Sequence, residues 1–200
     1  MKNSLLMVVD LINEIVHPDG KSSQYFADQC EKNHVIENSN KAINIARKLN
    51  LPIIHVKVGF SQDYLDCPKW SPIFSAAIEY GAFQLGTWGT EFHESVEVKA
   101  EDYILIKTRV SPFYNTNLES VLRAQQIDTI IVLGVSTPNA ILSTVKEGHD
   151  RDYKMIVLSD ACSADNEGSH MAAIGIMGHL GSIISVNDLE NNMKGPSRVE

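Results

Sequence analysis

The chain has 200 residues, of which 44% are hydrophobic, enough for one globular domain with a sizeable core. Its formal charge of −8 argues against nucleic acid or an anionic membrane surface as a main partner. Cys30, Cys67 and Cys162 stand far apart without a C-x-x-C pair, which argues against a disulfide framework or a zinc site and for a reducing compartment.

From the N-terminus, the apolar run 5–9 is interrupted by Asp10, too soon for a signal peptide or a transmembrane span, so a cytoplasmic location is expected. A helical spacing of apolar residues covers 35–49, and a second β-branched run covers 52–58. The region 60–100, rich in Pro, Gly, Trp and Thr, reads as a long connection with a short helix near 73–80, a candidate lid or pocket wall. Strands follow at 103–107, 129–135, 155–158 and 181–185, and helices at 118–124, 139–149 and 171–179. The domain is expected over 1–190, with 191–200, containing Lys194-Gly195-Pro196-Ser197, as a loose tail. Most strands are apolar on both faces and alternate with helices, the pattern of an α/β fold with right-handed crossovers and a mainly parallel sheet.

Parallel strands place their C-terminal ends along one edge, where loops converge on a crevice. The polar residues at those ends are Asp10, Lys107, the 136–139 turn, and Asp160 with Cys162. An acid at the mouth of a buried strand is partly desolvated and suits general acid or base work. A lysine at an equivalent end can hold that charge or stabilise a developing anion. Each also has a plainer reading, Asp10 as a turn cap and Lys107 as a cation reaching solvent. Arg109, two residues on, suits either a substrate carboxylate or a structural salt bridge.

After Ile130-Ile131-Val132-Leu133-Gly134-Val135, the sequence Thr137-Pro138 reads as an N-cap with Pro at the first helical position. Free first-turn amides would then bind an anion in the crevice. A nucleophile is expected near position 140, and the residue is Ala140. Ser143, one turn on, and Cys162, past the next strand, are substitutes, each more simply read as packing. The histidines form no metal-ligand spacing; His55 and His170 read as structural. Trp70, Phe83, Trp88 and Phe92 either line an apolar pocket or pin the long loop.

The ordered set Val8-Val9-Asp10-Leu11-Ile12-Asn13, Lys107-Thr108-Arg109-Val110-Ser111-Pro112-Phe113 and Thr116-Asn117-Leu118 continues through Gly134-Val135-Ser136-Thr137, Ser143-Thr144-Val145 and Asp160-Ala161-Cys162. Over about 5–189 it resembles the isochorismatase-like hydrolase, or cysteine hydrolase, superfamily. The resemblance implies a Rossmann-like three-layer sandwich: a six-stranded, mainly parallel sheet of order 3-2-1-4-5-6 with helices on both faces. It implies a crevice in which the family's Asp, Lys and Cys fall on Asp10, Lys107 and Ala140, and a cis peptide near 135–136. It also implies a homodimer or homotetramer with a small-molecule substrate.

Two departures stand out. The family's T-D-x-C reads Thr137-Pro138-Asn139-Ala140, so the chain resembles a Cys-less subgroup. The Asp-His metal motif of nicotinamidases is replaced after the second strand by Val58-Gly59-Phe60-Ser61, so no metal and no cofactor is expected. The function expected is hydrolysis of a small polar molecule by water, with Asp10 as general acid/base and Lys107 as its electrostatic partner. Arg109, Ser136, Thr137, Asn139, Trp88 and Phe113 are the binding candidates. The rival expectation is a non-catalytic binding or scaffold homologue, with the 171–180 helix as a possible interface.

Overall fold

The computed structural model describes residues 3–193. Its spine is β1 (Ser4–Val9), whose six residues are all buried. It pairs in parallel with β2 (Ile53–Val58) on one side and β4 (Thr129–Val135) on the other. β3 (Tyr103–Lys107) adds outside β2, while β5 (Lys154–Ser163) and β6 (Ser182–Ile184) add beyond β4. Every neighbouring pair is parallel and the order is β3-β2-β1-β4-β5-β6. That is the order the family resemblance implies.

Helices fall between these strands. α1 (Asn13–Val16) and α2 (Ala27–Lys32) flank a 3-10 turn at Ser23–Tyr25 and precede α3 (Val35–Lys48). α4 (Ser75–Tyr80) and a 3-10 turn at Trp88–Thr90 lie in the long connection. α5 (Leu118–Ala124), α6 (Leu142–His149), α7 (Glu167–Met177) and α8 (Val186–Met193) complete the set. In α3 the buried residues Val35, Ser39, Ala42, Ile43 and Ala46 recur at helical spacing, giving one apolar stripe to the sheet. α3 and α8 pack together, as do α6 and α7. Right-handed crossovers running in opposite directions from β1 and β4 put these two groups on opposite faces.

Several elements differ from the sequence reading. β5 runs on to Ser163, because a register irregularity lets 158–161, with the polar Ser159-Asp160 step, bulge away from β4 before pairing resumes at Gly134 and Cys162. Asp160 and Cys162 are therefore inside a strand and not beyond its end. α7 starts earlier than expected, since the Asn166 side chain accepts the Ser169 N–H at 2.8 Å and caps it. β3 is an edge strand with Tyr103, Ile104 and Ile106 exposed, unlike the doubly buried strands inside. α1, α2 and α8 escaped the periodicity because they are short or polar. The tail expected over 191–200 begins within α8, and 194–200 lie outside the described residues.

His55 in β2 has the structural place expected of it. It is fully buried, edge-on to Phe92, and 3.3 Å from Asp102, which Arg47 grips with both guanidinium arms at 2.7 and 2.9 Å. Burial lowers the imidazole pKa and keeps the ring neutral.

At the centre, Gly134 has φ of 122°, open only to glycine, and a Cβ there would collide with the Val9 carbonyl of β1. The β1–β4 approach that sets the crevice thus requires glycine. Gly134→Ala is expected to destabilise the protein by about 3 kcal/mol, a Tm drop of roughly 6–12 °C, read by thermal denaturation followed by circular dichroism.

Candidate active site

The strand order reverses between β1 and β4, and the crevice at such a point gathers residues from several strand ends. Asp10 directly follows β1 with φ of 57°, a left-handed turn that Asp tolerates better than most residues. Its amide still joins the sheet through the Val56 carbonyl at 2.9 Å. Its carboxylate turns sideways over the end of β2. Oδ1 accepts the Val58 N–H at 2.8 Å, and Oδ2 lies 2.7 Å from Lys107 Nζ, which arrives from the end of β3. The pair spans β2, and both side chains are almost fully buried. Burial raises the Asp10 pKa above the ordinary carboxylate value, while the Lys107 charge and the Val58 N–H pull against it. Lys107 Nζ also donates to the Arg109 carbonyl at 3.3 Å.

β4 delivers the third side of the site. A cis peptide joins Val135 to Ser136, and a wide π-type turn, Thr137–Ile141, leads into α6. The N-cap is Ser136, not Thr137, and no side chain caps the turn. Thr137 is buried and its hydroxyl lies 2.9 Å from His170 Nδ1 on α7, directed away from the crevice. The first-turn amides are less free than the sequence suggests, since those of Asn139 and Ile141 both donate to the Ser136 carbonyl at 3.2 Å. Ser136 and Asn139 are joined at 3.0 Å, Asn139 Nδ2 donating to Ser136 Oγ.

Asp10, Lys107, Ser136, Asn139 and Ala140 line one cavity of about 390 Å³. Arg109, Trp88 and Phe113 do not. The Arg109 guanidinium donates to the carbonyls of Thr108 and Asp66 at 2.6 and 2.9 Å. Trp88 is 47% exposed and meets His17 edge-to-face, outside the cavity. Phe113 is buried between the Tyr153 ring and the Arg151 guanidinium. Asp160 accepts the Val186 N–H with both oxygens, at 2.9 and 3.2 Å, and so anchors α8. Ser143 is absent from the lining, and burial pushes the Cys162 thiol up to about 12. Neither stands in for a thiolate at position 140.

Of the two walls, 72–83 falls within the 60–100 connection expected to form a pocket wall, while 21–26 was passed over in the sequence reading. One wall is the 21–26 segment with Tyr25 and Phe26; the other is 72–83 with Phe74, Tyr80 and Phe83. Glu14, a buried carboxylate, ties them together. It accepts the Lys21 N–H at 2.8 Å and the Phe83 N–H at 3.3 Å. The adjacent aromatic pair Tyr25-Phe26 inside a polar stretch is the sequence signal that points to the first wall. Of the four aromatics considered for a pocket, Phe83 lines the cavity, Phe92 packs on His55, and Trp70 is 97% exposed. At the end of β2 and just beyond it, Val58 and Phe60 present apolar side chains, and no group of three or more His, Cys, Asp or Glu side chains gathers for a metal among the described residues.

Relatives share this architecture. Ureidoacrylate amidohydrolase RutB of Methylobacterium radiotolerans is 29% identical over 98% of this chain and 81% of its own length. An Arabidopsis thaliana protein named "Probable inactive nicotinamidase" is 28% identical over 90% of each chain. Among solved structures, an isochorismatase family protein from Desulfovibrio vulgaris superposes with a TM-score of 0.85 at 24% identity, over 97% of this chain and 100% of its own. N-carbamoylsarcosine amidase from Thermoplasma acidophilum gives 0.73 at 26% identity, covering 93% of this chain and 97% of its own. The isochorismatase domain family model matches residues 4–188, nearly the whole described chain. With that match and the sheet order built around Asp10, the chain belongs to the isochorismatase family of hydrolases.

Proposed function

We propose that the protein hydrolyses a small molecule without a thiol nucleophile, using Asp10 to relay a proton and water as the attacking group. The observation that carries this reading is the buried Asp10–Lys107 pair, 2.7 Å apart, in the same cavity as Ala140. A methyl side chain forms no covalent acyl intermediate, while the acid and the cation beside it remain. Water gives a proton to the Asp10 carboxylate as its oxygen adds to the substrate carbonyl carbon. The proton then passes to the leaving group as the bond to that carbon breaks. Lys107 has one further N–H donor for the oxyanion formed between these steps. The Ser136 hydroxyl, which accepts from Asn139, keeps its own O–H for the substrate.

A second reading, a binding homologue without turnover, draws on the same alanine and on the similarity to a relative named as inactive. The two differ in whether a ligand that raises Tm is also consumed. We further propose that the chain forms a homodimer or homotetramer, to which the exposed Tyr103, Ile104 and Ile106 of β3 lend an apolar surface.

Against an amide and ester panel, Asp10→Asn is expected to lower kcat by about 10²–10⁴-fold. Unchanged turnover in that variant would remove Asp10 from the mechanism. The base must be ionised to accept the proton, so kcat/KM should climb as pH rises through the Asp10 pKa. Because burial raises that value, the acidic limb should lie above the ~3.9 of a free aspartate. Lys107 lowers the Asp10 value, so Lys107→Met should move the limb to higher pH still.

Ala140→Cys should add one thiol that iodoacetamide modifies at neutral pH, with Cys30, Cys67 and Cys162 protected by burial. Intact-protein mass spectrometry counts the adducts. A variant thiol as silent as the native three would show that position 140 is closed to a reacting group.

A further inference from the structure

The cavity over the Asp10–Lys107 pair holds far more than a carbonyl group, and its walls are chiefly hydrocarbon. At about 390 Å³ it lies within the range of roughly 300–1,000 Å³ that encloses drug-sized molecules. The α4 face contributes Ala76 and Ala77, small side chains that leave space where larger ones would close it. Facing aromatic and aliphatic groups include Phe26, Phe74 and Phe83. At the rim, Tyr25, Ile73 and Tyr80 line the cavity and yet remain 59%, 51% and 62% exposed. Apolar surface left in water at a concave site marks a place where an apolar ligand is bound. The charged lining residues are Asp10, Lys21 and Lys107, two cations against one carboxylate, which disfavours a cationic ligand. The Lys21 ammonium is fixed at the rim by the Gly81 carbonyl at 2.7 Å.

We infer that this site takes a neutral or anionic carboxamide or ester with an extended apolar body, alkyl or aryl. The carbonyl sits at Asp10 and Lys107, and the body lies between α4 and the 21–26 segment. This assignment rests on the hydrolytic reading above and gives it a substrate class. It replaces the small polar molecule expected from the sequence, because the 72–83 wall is almost wholly hydrocarbon and faces Phe26, with Lys21, Ser22 and Gln24 the polar groups on the opposite wall.

The test is calorimetric titration of straight-chain primary carboxamides, from acetamide to octanamide, into the intact protein and the Asp10→Asn variant, with product release followed in parallel. Burial of each methylene should lower Kd about fourfold until the cavity is filled. Octylammonium should bind more weakly than octanamide. Ala76→Trp, a change at an exposed position that leaves the core untouched, should abolish the chain-length dependence. A Kd independent of chain length overturns the inference and leaves the walls as a surface covered by protein. So does a dependence that survives Ala76→Trp. Acetamide turnover that needs Asp10, with a flat binding series, keeps the hydrolytic reading and sinks the apolar body. A graded series with no turnover of any member keeps the apolar pocket and sinks the hydrolytic reading.

Discussion

Two opposite charges, Asp10 and Lys107, are held out of water across the end of a strand that belongs to neither. Removing a carboxylate and an ammonium from water costs several kcal/mol per ion, and their attraction offsets this only when geometry and further hydrogen bonds are good. Here the Val58 N–H and the Arg109 carbonyl provide those bonds. The requirement reaches outward. β2 must end at Val58 for its amide to be free, β3 must deliver its lysine at the matching register, and the Asp10 backbone must turn left-handed to aim its carboxylate sideways. A hydrophobic pair would fill the same space at no electrostatic cost, so stability alone gives a weak account of these residues.

The fold was legible because the buried strands carry their signal in composition. β1 and β4 are continuous aliphatic runs bounded by an abrupt polar residue or turn, and such runs fit only between two helical layers. The strand ends then pointed to Asp10, Lys107 and the turn before Ala140. What escaped was of two kinds. The β5 extension depends on a register irregularity, a property of two strands together, which one strand's sequence does not display. The placing of Arg109, Trp88 and Phe113 outside the cavity depends on partners far along the chain, Asp66, His17 and Tyr153. The 21–26 wall was hard to read for a related reason, since it has little regular periodicity and owes its position to tertiary contacts, whereas the 72–83 wall lies in the long connection read as a pocket wall.

Position 140 separates family membership from chemistry. The fold is shared with N-carbamoylsarcosine amidase of Thermoplasma acidophilum, and one fold supports more than one reaction. The three native thiols are all buried, and those of Cys30 and Cys162 are pushed up to about 12, so they remain protonated hydrophobes at neutral pH. On the proposed reading, chemistry at this crevice rests on the Asp10 carboxylate, the Lys107 ammonium and the ligand that fits them.

Glu14 gives the walls a property that neither possesses alone. One of its oxygens receives an amide from the 21–26 side and the other an amide from the 72–83 side, so both walls hang from a single buried side chain. Segments joined in that way order cooperatively: a molecule that settles one wall lowers the entropy still to be lost by the other. On the proposed reading, contacts distributed over the two walls act as one recognition unit, and substitutions on opposite sides of the cavity are expected to be coupled in their effects on binding.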